Sequence, residues 1–548
     1  MSVCLDCKKE YSFSELEKEK YKSVDILPST RCFECRTVQR TAFWMFGKFR
    51  KGTSDYSGNS MITMMPENAR YPIYTRDEWW SDDWDAMQNG KDYDPNRTLF
   101  EQLKELQEKT PRPHQIGQHN TDCDWCDDMW NSKNCYLTRS AVRCENLFYG
   151  CRVVDTKDSF DISLSYNMQN SYDCLYSFDS HNLNIAQMCR NCIDSFFLYD
   201  CRGCSDCFMC WNLRNKKYCI ENVQYSKEEY FGKLKEYDLG SHKGLSTLRD
   251  TFHNHIVNDA VHKDNFNVNS AGCIGNFLND CKQCINTFAF EESEDSVNML
   301  RGLKVKDCID VVGSWEIELS GNIVACTAGY QLKHSSWSEG RYSEYLDLCY
   351  DCENCFACVG LRKKKYCILN KQYTEEEYFT LKSQIIGDMH KNNDYGQFLP
   401  WSMSLGPYNF STAMIYFDHI SREEVLQRGG YWQDDPMTQT DGMVATEFLP
   451  DTVLEADDKV CTQALLCPKS GHRFNIAAQE LVFHKRKNIA LPRTHFDVRT
   501  LNRMRTISSL IARDAVCCYC DKKVAHYYEK NNNYRKIACT KCYQSEIS

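Results

Sequence analysis

Between residues 131 and 222 the pattern of polar and apolar positions repeats every twelve residues. Cut at that step, the chain reads NSKNCYLTRSAV, RCENLFYGCRVV, DTKDSFDISLSY, NMQNSYDCLYSF, DSHNLNIAQMCR, NCIDSFFLYDCR, GCSDCFMCWNLR and NKKYCIENVQYS. One polar column holds Asn134, Asn146, Asp158, Asn170, Asn182, Asp194 and Asp206. Two residues further on, an aromatic-rich column holds Tyr136, Phe148, Phe160, Tyr172, Asn184, Phe196, Phe208 and Ile220. Between them runs a column of small or apolar residues: Cys135, Leu147, Ser159, Ser171, Leu183, Ser195, Cys207 and Cys219. A fixed period marks a stacked architecture in which each unit buries its face against its neighbours. Twelve residues are too few for a helix pair but suit a short strand and a turn, with Asn or Asp supplying the turn chemistry. The pattern predicts a parallel β-solenoid with one or two units per coil, and leaves open which column faces in.

The device recurs. Residues 201–237 align without gaps to 349–385, with 19 identities in 37 positions. Upstream of the second copy, Cys284, Ser296 and Cys308 keep the twelve-residue step before insertions are expected to blur it. Each copy ends in a capping box, Ser226 to Glu229 and Thr374 to Glu377, which predicts a helix closing the open end of the stack. Helices are also predicted at Leu99 to Lys109, stopped by Pro111 and Pro113, at 245–261 as a connector, and after a third capping box at Ser421 to Glu424. The fold class is therefore mainly β: two solenoid blocks with capping helices, flanked by small terminal modules. The segments are 1–40, an aromatic and acidic connector 41–130, block one 131–240, the connector 241–268, block two 269–390, a strap 391–460, and a basic module 461–548.

The terminal modules are read from their cysteines. Cys4, Cys7, Cys32 and Cys35 form two CxxC pairs, as do Cys517, Cys520, Cys539 and Cys542. Four thiolates from two tight knuckles fill the tetrahedral preference of zinc, so two structural zinc ions are expected. Cys123 with Cys126 is a lone CxxC, and Cys461 with Cys467 half a knuckle; both are weaker candidate ligands, with His472, His484 and His495 as possible partners for the latter. The run Cys201, Cys204, Cys207 and Cys210 is read as thiol ladders, since cysteines twelve residues apart stack on neighbouring coils. Three-residue spacing also predicts that alternate thiols point to opposite faces of a strand.

The net charge of −10 is segregated. Residues 1–51 hold 11 Lys and Arg against 7 Asp and Glu, residues 468–548 hold 16 against 6, and the body between carries −24. Basic ends on an acidic body point to RNA, the ribosome or an acidic protein as partner. The candidate polyanion ligands are Arg36, Arg40, Lys48, Arg50, Lys51, Lys485, Arg486, Lys487, Arg493, Arg499, Arg503 and Arg505. The shared basic runs Arg214 to Lys217 and Arg362 to Lys365 are further candidates for phosphate. Trp79, Trp80 and Trp84 lie among carboxylates that repel a phosphate backbone, and are expected to clamp a small module onto the solenoid.

Cys4, Asp6, Cys7, Phe13, Pro28, Arg31, Cys32, Cys35 and Arg36 resemble the probable zinc-ribbon domain family. Over nearly the whole chain the sequence is similar to a group of cysteine-rich zinc-ribbon proteins of small-genome candidate-phyla bacteria, some of them labelled CoA-transferases. The shared elements include WWSDDWD, Gly90 to Asp94, Asn134 to Leu137, both copies of the KKYC segment, Gln479 to Leu481, Leu491 to Arg493, and the last ribbon. The resemblance implies a further ribbon before the tryptophans. Here Thr75 and Glu78 stand in place of its second cysteine pair, so that copy is expected to be metal-free. The group implies no established activity, and nothing in these residues resembles a CoA-transferase site.

No phosphate loop, nucleophile motif or open three-ligand metal site appears in the sequence. The dense carboxylates Glu291, Glu292, Glu294 and Asp295 read as a solvated face rather than the acid and base of a polysaccharide-acting β-helix enzyme. With no signal region and no long apolar run, 34 cysteines point to a reducing cytoplasm. The expected function is a non-catalytic scaffold whose basic ribbon ends bind RNA or another polyanion. The alternative is a scaffold that docks proteins through the solenoid face.

Overall fold

A computed structural model describes residues 1–434, 442–507 and 509–547; part of the strap, 435–441, lies outside them. The chain groups into two compact units, each built from two separate stretches: residues 1–115 with 265–433, and residues 116–264 with 434–548. The N-terminal ribbon thus belongs with the second solenoid block, and the C-terminal module with the first.

Both blocks are parallel ladders with twelve residues per coil. Phe160 pairs with Tyr172, Tyr172 with Asn184, and Cys207 with Cys219. The first ladder begins at Gly117–Gln118, a full coil before the readable repeat. Each ladder ends in a short antiparallel hairpin, Lys217–Ile220 with Val223–Gln224 and Lys365–Ile368 with Lys371–Gln372. The capping helices Lys227–Leu234 and Glu375–Lys391 follow, each with its predicted capping box formed.

The coil geometry follows from one backbone rule. In the first block, nearly every third residue is left-handed, from Asn131, Asn134 and Leu137 through Asp206, Met209 and Asn212. Twelve residues per coil therefore give four corners and four short walls, one unit to each coil. The Asn and Asp column read from the sequence occupies one corner, with φ between 48° and 52° at all seven positions. Asn and Asp tolerate this conformation better than other residues with a Cβ. Their side chains also tie successive coils: the Asn134 amide donates to Asn146 at 2.5 Å and the Asn146 amide to Asp158 at 2.7 Å.

The residue after each corner points inward. Cys135, Leu147, Ser159, Ser171, Leu183, Ser195, Cys207 and Cys219 are all buried in the coil. Interior serines bond the next coil; the Ser159 hydroxyl accepts from the Ser171 amide at 3.0 Å. The aromatic column faces outward beneath other elements, Phe160 meeting Phe483 at a ring distance of 4.5 Å.

In the second block the twelve-residue step is interrupted by loss rather than insertion. Gly329 pairs with Gly340 and Lys333 with Glu344, eleven residues apart, before the step of twelve resumes at Gly340 and Cys352. An eleven-residue step also opens the block, where Val268 pairs with Asn279.

Candidate metal centres and the modules that carry them

Each terminal ribbon starts as a tight knuckle. The Cys4 amide donates to the Lys9 carbonyl at 2.9 Å, and the Lys8 amide returns to Cys4 at 3.1 Å with Lys8 left-handed. Cys517, Lys522 and Asp521 repeat the arrangement. The second pair lies at a helix start in both cases, on Phe33–Ala42 and Thr540–Ile547.

The four sulfurs of Cys4, Cys7, Cys32 and Cys35 lie within 4.8 Å of one another, as do those of Cys517, Cys520, Cys539 and Cys542. Cys7 and Cys32 are 3.8 Å apart and Cys520 and Cys539 3.9 Å. A tetrahedron with Zn–S near 2.3 Å has edges of about 3.8 Å, so both quartets fit structural zinc. Backbone amides supply the outer shell: Cys32 donates to the Cys4 sulfur at 3.4 Å and Cys539 to the Cys517 sulfur at 3.3 Å. The hydrogen bond with Cys35 draws the Cys32 thiol down to about 5. At Cys517, amides of Cys539, Tyr519 and Cys520 outweigh burial and bring the thiol to about 6.

Two further ribbons keep the fold without the ligands. Ser54 donates its amide to Asn59 at 2.9 Å and receives that of Gly58 at 2.9 Å, with Gly58 left-handed. Ser54, Ser57, Thr75 and Glu78 occupy the ligand positions. There the Glu78 carboxylate accepts from the Ser54 hydroxyl at 2.5 Å and the Thr75 amide at 2.8 Å. Burial raises this carboxyl, but bonds from Ser54, Ser57 and Thr75 prevail and hold it at about 2. A hydrogen-bonded carboxylate stands where a metal would.

The fourth ribbon is built around Cys467. Its amide donates to His472 and its carbonyl receives Gly471, both at 2.9 Å, again with a left-handed glycine. The His495 amide donates to the Cys467 sulfur at 3.3 Å, as Cys32 does to Cys4. Cys4, Glu17, Phe33, Arg36 and Arg40 match Cys467, Glu480, Phe496, Arg499 and Arg503 without a gap, so this module is a copy of the first ribbon. Ser470, His495 and Val498 replace its other three cysteines. Cys461 and Cys467 belong to neither group of metal-ligating side chains found among the described residues, and the His484 ring is buried and bonded to the Ile489 carbonyl.

Nor does the lone pair Cys123 and Cys126 gather a site; both are coil cysteines, the Cys126 thiol donating to the Cys135 carbonyl at 3.2 Å. Cys201, Cys204, Cys207 and Cys210 are a correction. Left-handed corners turn all four inward, rather than to alternate faces. Their sulfurs still form no group as tight as the ribbon quartets. Each thiol instead reaches the carbonyl two residues back, from 3.2 Å at Cys210 to 3.5 Å at Cys201. Burial pushes the coil thiol of Cys144 up to about 12, which keeps it neutral.

The basic residues meet a different fate from the one expected of polyanion ligands. Arg36 and Arg40 are buried against Asp310, at 3.6 and 3.3 Å. In the copied ribbon, Arg499 and Arg503 reach Asp161 at 3.1 and 2.8 Å. Asp161 and Asp310 are both fully buried, left-handed corner residues of their solenoid blocks. Each ribbon inserts two arginines, one helical turn apart, onto one corner carboxylate, so these four are turned away from outside partners. Arg493 is bound to the carbonyls of Thr446, Leu449 and Pro450. Arg486 and Lys487 contact Asn170, and Arg50 the carbonyls of Met65 and Pro66. Lys48 lies over Phe410; Lys51 is exposed, and Lys485 and Arg505 are partly so.

The matched arginines of the two basic runs are docking pins as well. Arg362 lies over Trp79, Trp80 and Trp84 at 5.4–6.0 Å, and Trp80 packs on Tyr350 at 4.9 Å. Arg214 donates to the Tyr543 hydroxyl of the last ribbon at 2.6 Å. The tryptophans do clamp a module onto the solenoid.

No protein-family model matches the chain, and no curated protein matches it. The likeness of the first ribbon to zinc-ribbon domains thus rests on its motif residues and on the geometry above. No helix among the described residues is long and apolar enough to cross a membrane.

Proposed function

We propose that the protein is a non-catalytic, zinc-stabilised scaffold that holds partner proteins in the cytoplasm. The observation that carries this reading is the use made of charge. Arg36, Arg40, Arg499 and Arg503 lock ribbons onto solenoid corners, so much of the basic-end, acidic-body asymmetry is internal complementarity. Ribbons held on their solenoid blocks by buried ion pairs support a scaffold reading. Thirty-four cysteines without a disulfide suit a reducing compartment.

A second reading, RNA binding, is favoured by the last ribbon, where Lys522, Lys523, Lys530, Arg535 and Lys541 are exposed, as is Tyr519. Exposed cations suit phosphate contact and an exposed ring suits base stacking. Purification at low salt separates the two. An absorbance ratio at 260 and 280 nm typical of protein, unchanged by a high-salt wash, is expected of the protein scaffold. Nucleic acid that leaves with salt would favour the ribbon reading.

A further inference from the structure

Both solenoid blocks end in a hairpin and a capping helix, but the first coil of the second block is bare on its outer side. Inside a block, the amide of a left-handed corner donates to the preceding coil, and the carbonyl of the inward residue accepts from it. Gln283 donates to the Ala271 carbonyl at 2.9 Å, and the Cys281 carbonyl accepts from the Ala271 amide at 3.0 Å. The first coil has no coil before it. The amides of Asn269 and Gly272 and the carbonyls of Ser270 and Cys273 accordingly have no hydrogen-bond partner among the described residues. From the other side the coil is tied down: Val268, Ala271 and Ile274 donate to the carbonyls of Leu278, Cys281 and Cys284 at 2.8–3.0 Å. The open groups are therefore held in position.

The side chains at this edge carry no charge. From Asn265 to Asn279 there is no Asp, Glu, Lys, Arg or His. Val268 is 42 % exposed and Ile274 58 %. The inward Cys273 is only half-buried, whereas the other coil cysteines of both blocks are buried, so the core of the second block is open at this end. The first coil of the first block instead exposes His119, Asp122 and Asp124. Charges of that kind keep a bare edge from pairing with other chains, and solenoid ends ordinarily carry a polar cap for the same reason. The second block lacks them.

We infer that this edge is a self-association surface, on which a second copy of the chain seats its own first coil end to end. The geometry selects the occupant. The open backbone groups lie on two successive walls that meet at the left-handed corner Gly272. A straight strand from another protein follows only one wall, while the end of a second solenoid turns the same corner and meets both. Ser270 and Cys273, which point into the coil, likewise need another core above them rather than a strand. Two such ends related by a two-fold axis pair antiparallel, as the hairpin of Lys365–Ile368 with Lys371–Gln372 does at the opposite end of the block. Val268 and Ile274 then meet uncharged counterparts, which the first block's edge does not offer. The end of one coil is a small surface, so association is weak, with a dissociation constant on the order of 10 µM. The inference goes beyond the scaffold reading and does not rest on it.

The test is sedimentation velocity of the full chain from about 0.5 to 100 µM, with amide hydrogen exchange at both limits. A monomer–dimer equilibrium is expected, and residues 268–275 should exchange more slowly at the high concentration. Ile274→Lys and Ala271→Lys each place a charge on the edge and should raise the dissociation constant by about tenfold or more. Thr121→Lys, at the position of the first block that matches Ala271, should leave it unchanged. All three side chains are exposed, so the variants should keep two zinc ions and the parental melting temperature; Val268→Lys replaces any edge variant that does not. A chain that stays monomeric at about 100 µM overturns the inference. So does a dimer that survives the edge variants or leaves 268–275 exchanging freely, since its contact lies elsewhere. Protection of 268–275 in a monomer, seen only when another protein is added, also overturns it and gives the edge to a strand of that protein.

Discussion

Arg503 donates to the carboxylate of Asp161 at 2.8 Å, across 342 residues of chain. Arg40 makes the matching contact with Asp310 in the other unit. Removing the buried carboxylate leaves Arg499 with Glu480 and Arg503 with Asp173 as remaining ion-pair partners, so the loss is below the roughly 3–5 kcal/mol of a fully broken buried pair. Asp161→Ala should therefore lower the urea midpoint and open the C-terminal module to protease. A variant as stable and protease-resistant as the parent would mean that the pairs do not hold the module.

The zinc content should be two ions per chain, measured by elemental analysis after exhaustive dialysis. Cys520→Ser should reduce it to one and unfold the last ribbon, since metal binding and folding are coupled there. Cys467→Ser should leave both ions in place.

The ribbon at Ser54 should accept a third ion if its ligand positions are restored. Ser54→Cys, Ser57→Cys, Thr75→Cys and Glu78→Cys together should raise the content to three. In the parent, the Glu78 carboxyl is held at about 2 against an ordinary value of 4.5. Its contribution is present above about 4.5 and fades as pH falls through about 2, so Glu78→Gln should flatten that part of the acid-melting profile.

The two columns of the repeat should respond differently to substitution. Leu183→Ala removes a buried interior side chain and should cost about 2–5 kcal/mol. Phe160→Asp should instead free the module carrying Phe483 while the coil survives, seen as retained β signal in circular dichroism with increased proteolysis after residue 441. Loss of all β signal would place the aromatic column in the core.

Acid should destabilise the second unit. Burial holds His262 near 3 and His484 near 4, well below the ordinary 6.5. His262 sits between the Tyr199 hydroxyl at 2.7 Å and the Ile256 carbonyl at 2.8 Å, a pairing suited to the neutral ring. The unfolded chain takes up protons from about pH 6.5 downward while these rings do not, so stability falls over that window. The loss is about 1–2 kcal/mol for each histidine at pH 5. Replacement of His484 by Gln should remove part of the slope; an unchanged slope would assign it to other groups.

Much of this architecture was legible because the repeat is short and its corners are chemically selective. Asn134 through Asp206 announced the left-handed corner, and the three capping boxes formed where Ser226, Thr374 and Ser421 predicted them. The eight zinc-ligating cysteines were equally plain, since CxxC spacing serves little else. The inward column was hidden because Phe160, large and apolar, looks like core, and it is indeed buried, but beneath another module. The fourth ribbon was hidden because copying kept Glu480, Arg499 and Arg503, which make the docking contacts, and lost the cysteines that make the motif recognisable. The destination of the arginines was invisible for a simpler reason: Asp161 and Asp310 look like ordinary turn residues until the coil turns them toward a ribbon.

The left-handed corner at every third position gives the solenoid something like a reading frame. Adding or removing one residue turns every side chain beyond that point from inside to outside, unless the altered wall absorbs the slip. The second block shows one such slip repaired: inward residues fall on Ser335 and Ser338 before it, and on Ser343 and Leu346 after it. Ahead of the slip the two blocks correspond at a distance of 149 residues, as Asp161 and Asp310 do; beyond it, Arg214 and Arg362 lie 148 apart. Length in this protein is therefore quantised. Insertions belong in its ribbons and strap, and a coil changes safely by whole turns or at a wall built to take up the difference.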